Sequence, residues 1–330
     1  MNTTIVIIVG IVIAFVFDFL NGMNDAANSI ATIVATKTLK PFYAVLWAAF
    51  FNFFAAFIFH VGIANTIGKG IINIDILNEY VVISAVIGAV IWLIFCTRYG
   101  FPISVSHALI GGLIGPALFF FGKKALVVSG IIKVTLFIII SPLIGFILGY
   151  FIMILTMHVF RKSNPIKLEK NFHYFQLFSS AIFSLGHGSN DAQKTMGVIT
   201  MLLVYGNFIN TFEVPTWVIF SCYGCISLGT LSGGWKVIRK LGDRLTPLKP
   251  VHGFCAETAG ALTLIGTALG GIPVSTTHTI TGAIVGVGIT RRVSAIRWGT
   301  TTSIVWAWIL TIPAAMLFSA LIYWIFTFFM

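Results

Sequence analysis

From Val134 to Met157 the chain carries no charged side chain, and none occurs from Trp298 to Met330. Runs of this length, repeated along 330 residues, constrain the fold more than any single motif. Each can form the roughly 20-residue helix that crosses about 30 Å of hydrocarbon. Lipid offers no partner to free backbone groups, so these runs are expected to be helices. Composition agrees: 58% of the residues are hydrophobic and 9% charged, whereas about a quarter are charged in a soluble domain. The net charge of +11 would suggest a nucleic-acid partner in a soluble protein. Here the basic residues sit in short loops between apolar runs, so no nucleic acid is expected and the charge reports orientation in a lipid bilayer. The run beginning near Thr4 has no Lys or Arg before it and no small-residue cleavage site after it, so it reads as a retained helix.

Apolar spans are expected near 4–36, 42–64, 80–97, 103–121 and 125–158, and again near 172–205, 215–231, 252–270, 272–290 and 300–329. The first span of each set is expected to be interrupted. Between the sets lie Arg161, Lys162, Lys167 and Lys170, and a second basic loop holds Lys236, Arg239, Lys240, Arg244 and Lys249. The organisation expected is a first transmembrane repeat over 1–160, a cytoplasmic connector over 161–171 and a second repeat over 172–330. With both basic segments cytoplasmic, five crossings per repeat invert the second and leave both termini outside a plasma (inner) membrane. Lys69, Asp75 and Glu79 then fall outside and Arg291, Arg292 and Arg297 inside, while Lys123 and Lys124 fall outside against the rule. The fold class expected is an all-α integral membrane protein of about ten transmembrane helices, in two inverted-topology repeats with broken or re-entrant helices.

The repeat is visible in residues. Asn21-Gly22-Met23-Asn24-Asp25-Ala26 matches His187-Gly188-Ser189-Asn190-Asp191-Ala192. Gly100-Phe101-Pro102-Ile103-Ser104-Val105-Ser106-His107 matches Gly271-Ile272-Pro273-Val274-Ser275-Thr276-Thr277-His278. Two motifs recurring in one order, at nearly the same separation, indicate a duplication. Inverted repeats with interrupted apolar segments at corresponding places point to a transporter's midplane site.

Asp25 and Asp191 lie in apolar surroundings, where an ionised carboxylate costs several kcal/mol unless compensated. Gly22 and Gly188 would permit a helix break, after which Asn24 and Asn190 could cap the resuming half-helix. Freed amides there attract anions, while carbonyl and carboxylate oxygens hold cations; an N-cap without further role is the plainer alternative. In the second motif, Pro102 and Pro273 suit a helix's first turn, and Ser104, Ser106, Ser275, Thr276 and Thr277 would present hydroxyls where amides are also free, forming an oxyanion cradle. Packing of small residues between close helices is the alternative there. His107 and His278 are expected to brace the turns. Asn28 corresponds to Lys194 and Ser29 to Thr195, so Lys194 would supply a fixed positive charge where the first half binds a mobile cation; a snorkelling lysine is the alternative. Glu257, with no cationic residue between it and Arg291, is a cation- or proton-site candidate, or a solvated group one turn from a loop. Cys96, Cys222, Cys225 and Cys255 read as small packing residues.

These four motif copies resemble the inorganic phosphate transporter (Pit/PiT) family, whose mark is a duplicated Gly-x-Asn-Asp-Ala-type signature, and the resemblance covers nearly the whole chain. It implies secondary-active uptake of inorganic phosphate with sodium or protons as coupling ion, no cofactor and no enzymatic activity, an inverted-repeat helical fold, and commonly a homodimer. Asn24, Asp25, Asn190 and Asp191 would then lie at the substrate and cation site. Asn28 and Glu257 are further cation candidates, and any bound metal would be sodium at these same residues. Ser104, Ser106, Ser275, Thr276 and Thr277, with Lys194 and Thr195, would bind the anion. Asn52 stands where eukaryotic members have a glutamate, Gln193-Lys194-Thr195 resembles bacterial members, and the short connector lacks the large loop of animal relatives, so a prokaryotic carrier is the match.

Some bacterial relatives resemble sulfate permeases. Phosphate at neutral pH carries a proton that a carboxylate can accept, whereas sulfate has none, which favours phosphate. An intramembrane phosphatase would use the His187-to-Asp191 spacing with a histidine nucleophile and clamping arginines, but no arginine lies close before His187. A channel is the third reading, and two-fold inverted halves suit alternating access better.

Overall fold

The structure is a computed structural model that describes residues 3–73, 75–242 and 245–329. Arg244 of the second basic loop lies outside them. Among the described residues, twelve α-helices run in chain order: α1 (Thr3–Ala35), α2 (Pro41–Phe54), α3 (Gly62–Gly70), α4 (Glu79–Tyr99), α5 (Val105–Pro116), α6 (Val128–Val159), α7 (Pro165–Tyr205), α8 (Thr216–Ser232), α9 (Trp235–Gly242), α10 (Pro250–Leu269), α11 (Thr276–Ile289) and α12 (Trp298–Phe326). Helices α1, α4, α6 and α12 are each long and apolar enough to cross a membrane, and the bent pairs α2–α3 and α8–α9 would make six. The molecule is a helical membrane protein with several apolar helices.

The second six helices follow the same order of long, bent and short elements as the first. The α2–α3 segment bends by 82° and α8–α9 by 75°, short α5 and α11 follow α4 and α10, and α6 and α12 each carry an internal proline, Pro142 and Pro313. Packing exchanges partners between the halves: α6 lies along α11, α12 along α5, α3 against α7 and α9 against α1. Close approach depends on small residues. A Cβ on Gly282 of α11 would stand 2.1 Å from the Pro142 carbonyl of α6, and one on Gly111 of α5 would stand 2.6 Å from the Ile312 carbonyl of α12.

Local chemistry sets the helix ends. The Asn78 side chain accepts from the Val81 amide to cap α4, which ends on Gly100 at φ 70°, the left-handed conformation glycine adopts at least cost. Asn164 caps α7 with Pro165 following, so most of the expected connector, 165–171, is the opening of that helix.

Two expectations need correction. The helices carrying the Asn-Asp pairs are not interrupted: α1 and α7 run unbroken through Asn24-Asp25 and Asn190-Asp191. Gly22 and Gly188 serve close packing instead, since a Cβ would stand 2.1 Å from the Ile226 carbonyl of α8 and 2.6 Å from the Asn52 carbonyl of α2 respectively. Pro102 and Pro273 precede the helices rather than occupying their first turns. The caps are Ser104 and Ser275, and the prolines lie in the extended segments before them, which suits a residue without an N–H.

Candidate functional site

Four helices meet where the motif copies converge. Unbroken α1 and α7 bring Asp25 and Asp191, and the free starts of α5 and α11 bring Ser106, Thr276 and Thr277. All five side chains are buried. Thr276 Oγ1 lies 3.3 Å from Asp25 Oδ2 and 3.2 Å from Asp191 Oδ2, so one hydroxyl stands between the two carboxylates. Thr277 Oγ1 lies 3.5 Å from Asp25 Oδ1. Asn28 Nδ2 donates to the hydroxyls of Thr276 and Thr277 at 3.1 and 3.0 Å.

The Lys194 ammonium is buried as well. It donates to Asp191 Oδ1, to Ser106 Oγ and, at 3.1 Å, to the Val274 carbonyl. It therefore does not snorkel. The contacts are reciprocal. Ser106 donates to the Val274 carbonyl at 3.2 Å and its counterpart Thr277 donates to the Ile103 carbonyl at 3.1 Å. Asn28 of the first half reaches Thr277 of the second, and Lys194 of the second reaches Ser106 of the first.

The halves differ in charge. His187 Nε2 stands 3.2 Å from Asp191 Oδ2 and Nδ1 stands 3.1 Å from Asn52 Oδ1, so Asp191 meets two basic groups. Among the described residues no basic side chain lies within ion-pair distance of Asp25. Ligand atoms of Asp25, His187 and Asp191 lie within 4.8 Å of one another, a donor set able to hold a cation.

The remaining expected residues have other partners. Ser104 and Ser275 accept the amides of His107 and His278 at 3.3 and 3.2 Å, and the two imidazoles pack with ring centroids 4.5 Å apart. Asn24 donates to Thr97 at 2.8 Å, and Asn190 donates to the Gly186 and Leu264 carbonyls at 3.1 and 3.0 Å. Thr195 donates to Asp18 Oδ1 at 2.7 Å. Glu257 is fully buried and accepts from Thr32 at 2.6 Å, Gln176 at 3.0 Å and Ser179 at 2.6 Å, so it is not a solvated group. Thr32 lies one turn beyond Asn28 on α1, which makes the Glu257 cluster a neighbour of the carboxylate pair with its own hydrogen bonds.

Sequence reasoning passed over Asp18 and gave His187 no place in this site. His187 could have been flagged by the i, i+4 spacing to Asp191. Asp18, an ionisable residue inside an apolar run, carried the same warning as Asp25.

The phosphate transporter family model matches residues 21–319. A protein of Rhizobium meliloti (strain 1021) named "Probable low-affinity inorganic phosphate transporter" is 50% identical, over 96% of this chain and 96% of its own length. A protein of Bacillus subtilis (strain 168) with the same name is 40% identical, over 96% and 95%. A solved structure titled "The sodium-dependent phosphate transporter" superposes with a TM-score of 0.91 over 98% of this chain and 100% of that one, at 24% identity, a likeness of fold. These relatives are transporters rather than enzymes. Both the family model and the relatives span nearly the whole sequence, and on that ground the chain belongs to the phosphate transporter family.

Proposed function

We propose that this chain carries inorganic phosphate with a cation, sodium or proton, across the plasma membrane, by alternating access between two inverted repeats of five crossings each. The observation that carries the reading is the meeting of Asp25 and Asp191 at the Thr276 hydroxyl, where α5 and α11 start and Lys194 joins Asp191 to Ser106. An oxyanion in this region would meet hydroxyls and the free amides of two helix starts. Neutral donors hold an anion without trapping it, and Lys194 adds one positive charge. A carboxylate can accept the proton of hydrogen phosphate, which favours phosphate over sulfate. The Asp25, His187 and Asp191 atoms would hold the cation, with Asn28 beside them.

The ends of the molecule support the orientation. Asn78 donates to Tyr323 at 3.3 Å near the C-terminus, close to Asp75 and Glu79. At the other end of α4, whose 21 residues span about 30 Å, Lys236 donates to the Arg98 carbonyl at 2.9 Å. The basic end would be cytoplasmic, with both termini outside. A homodimer in the bilayer, implied by the family resemblance, belongs to the same proposal.

Labelled phosphate uptake into proteoliposomes, with sodium and proton gradients imposed separately, tests the reading. Accumulation is expected with at least one gradient, together with counterflow exchange and little inhibition by excess sulfate. No accumulation with either, or equal displacement by sulfate, would refute it; conductance spikes in a planar bilayer would indicate a channel.

A further inference from the structure

Two buried carboxylates outside the central pair differ in how their oxygens are used. Glu257 accepts three hydrogen bonds over both oxygens, so it is satisfied as an anion. Asp18, also fully buried in α1, accepts from Thr195 through Oδ1, while Oδ2 has no partner. Asn21 is three residues on, on the same helix face, and its side-chain oxygen Oδ1 is buried and has no partner either. A buried carboxylate oxygen that lacks a donor is costly as a bare anion, and so is a buried amide oxygen left without one. A proton on Asp18 Oδ2 removes the first cost, and the helix spacing puts the Asn21 amide oxygen on the face where it could accept that proton's hydrogen bond.

No basic group among the described residues offsets the Asp18 charge. Among the described residues, the ionisable groups facing Asp18 are Asp191 from α7 and Cys222 and Cys225 from α8, with none from α2, α4, α9, α10 or α11. No basic side chain lies within ion-pair distance among the described residues. Thr195, which holds the other oxygen, directly follows Lys194 and lies one turn beyond Asp191 on α7. Thr195 therefore ties Asp18 to the stretch of α7 that carries Asp191 and Lys194.

We infer that Asp18 carries the proton that accompanies the transported anion, with Asn21 as acceptor and Thr195 as the link to Lys194 and Asp191. Asp18 binds the proton on one side of the membrane and releases it on the other, returning to the carboxylate. The inference rests on the phosphate-carrier reading, takes the proton as its coupling ion and places that ion on Asp18 rather than on the Asp25, His187 and Asp191 set.

The test uses the full chain in proteoliposomes with labelled inorganic phosphate. Asp18→Asn keeps the shape of the protonated acid. It is expected to retain phosphate counterflow at equal pH within about threefold of wild type, while uptake driven by a proton gradient and phosphate-dependent acidification of the lumen fall to background. Asn21→Leu removes the acceptor and so weakens proton binding: half-maximal proton-driven uptake should move to lower pH by about one pH unit, the equivalent of one hydrogen bond. Proton-driven uptake by Asp18→Asn at the wild-type level would overturn the inference, as would loss of both uptake and counterflow in a folded variant, or an unchanged pH profile in Asn21→Leu. Wild type driven by sodium alone would overturn it and leave the carrier reading intact. No phosphate movement by wild type would overturn the carrier reading itself.

Discussion

Lys194 and Asn28 hold equivalent places in the two motif copies, yet one offers an ammonium and the other an amide to the hydroxyls that open the facing half-helix. On the proposed reading, the ammonium that contacts Asp191 takes the place of a mobile cation. Removing one partner of a buried ion pair costs about 3–5 kcal/mol, although His187 and Thr276 remain beside Asp191. Lys194→Asn is therefore expected to raise the phosphate concentration for half-maximal uptake at least about tenfold, and to make uptake depend on added sodium. Uptake measured against graded sodium and phosphate checks this, and wild-type behaviour in both respects would remove the surrogate-charge idea. Ser106→Ala takes away a neutral partner worth about 1 kcal/mol, so a loss of roughly fivefold in apparent affinity is expected, with no new ion requirement.

At the scale of helices, the glycines of the Asn-Asp motif decide how closely the elements approach. Alanine normally improves a helix interior by about 1 kcal/mol over glycine. At Gly22 the added carbon would meet the Ile226 carbonyl at 2.1 Å, whereas at Gly266 of α10 it would meet nothing within 4 Å. Gly22→Ala should thus lower thermal stability in detergent by the equivalent of about 1–3 kcal/mol, and Gly266→Ala should leave it unchanged or slightly higher. Equal melting temperatures for the two variants would contradict the packing account. The same glycine shows where sequence reading stops. A Gly inside an apolar run is compatible with a break or with a close crossing, and only the neighbour, here the α8 backbone, decides between them. The long helices α1, α4, α6 and α12 were legible from apolar runs, but α9 was not, since Lys236, Arg239 and Lys240 made it read as a basic loop, nor was the 82° bend inside the span expected at 42–64. Asp18 was hidden by the duplication: its counterpart Ser184 has no charge, so this carboxylate belongs to one copy alone.

Across the whole molecule, the exchange of partners between halves ties the site to the topology. Ser106 reaches the Val274 carbonyl and Thr277 reaches the Ile103 carbonyl, so α5 and α11 begin against one another. If the halves are inverted, these two helix starts meet from opposite sides of the bilayer, and the loops before α4 and after it must face opposite compartments. Asn78 and Tyr323 mark one end and Arg98 and Lys236 the other. Single cysteines placed at Asp75 and at Lys236, in a chain whose four native cysteines are replaced by serine or alanine, report this directly. With a membrane-impermeant maleimide on right-side-out vesicles, the cysteine at 75 is expected to label and that at 236 to stay unlabelled until the membrane is permeabilised. The proposed arrangement of five crossings per half would require this result, because basic loops are retained in the cytoplasm. Labelling of both from outside would break the inverted arrangement, and with it the reason for two half-helix starts to face a common anion.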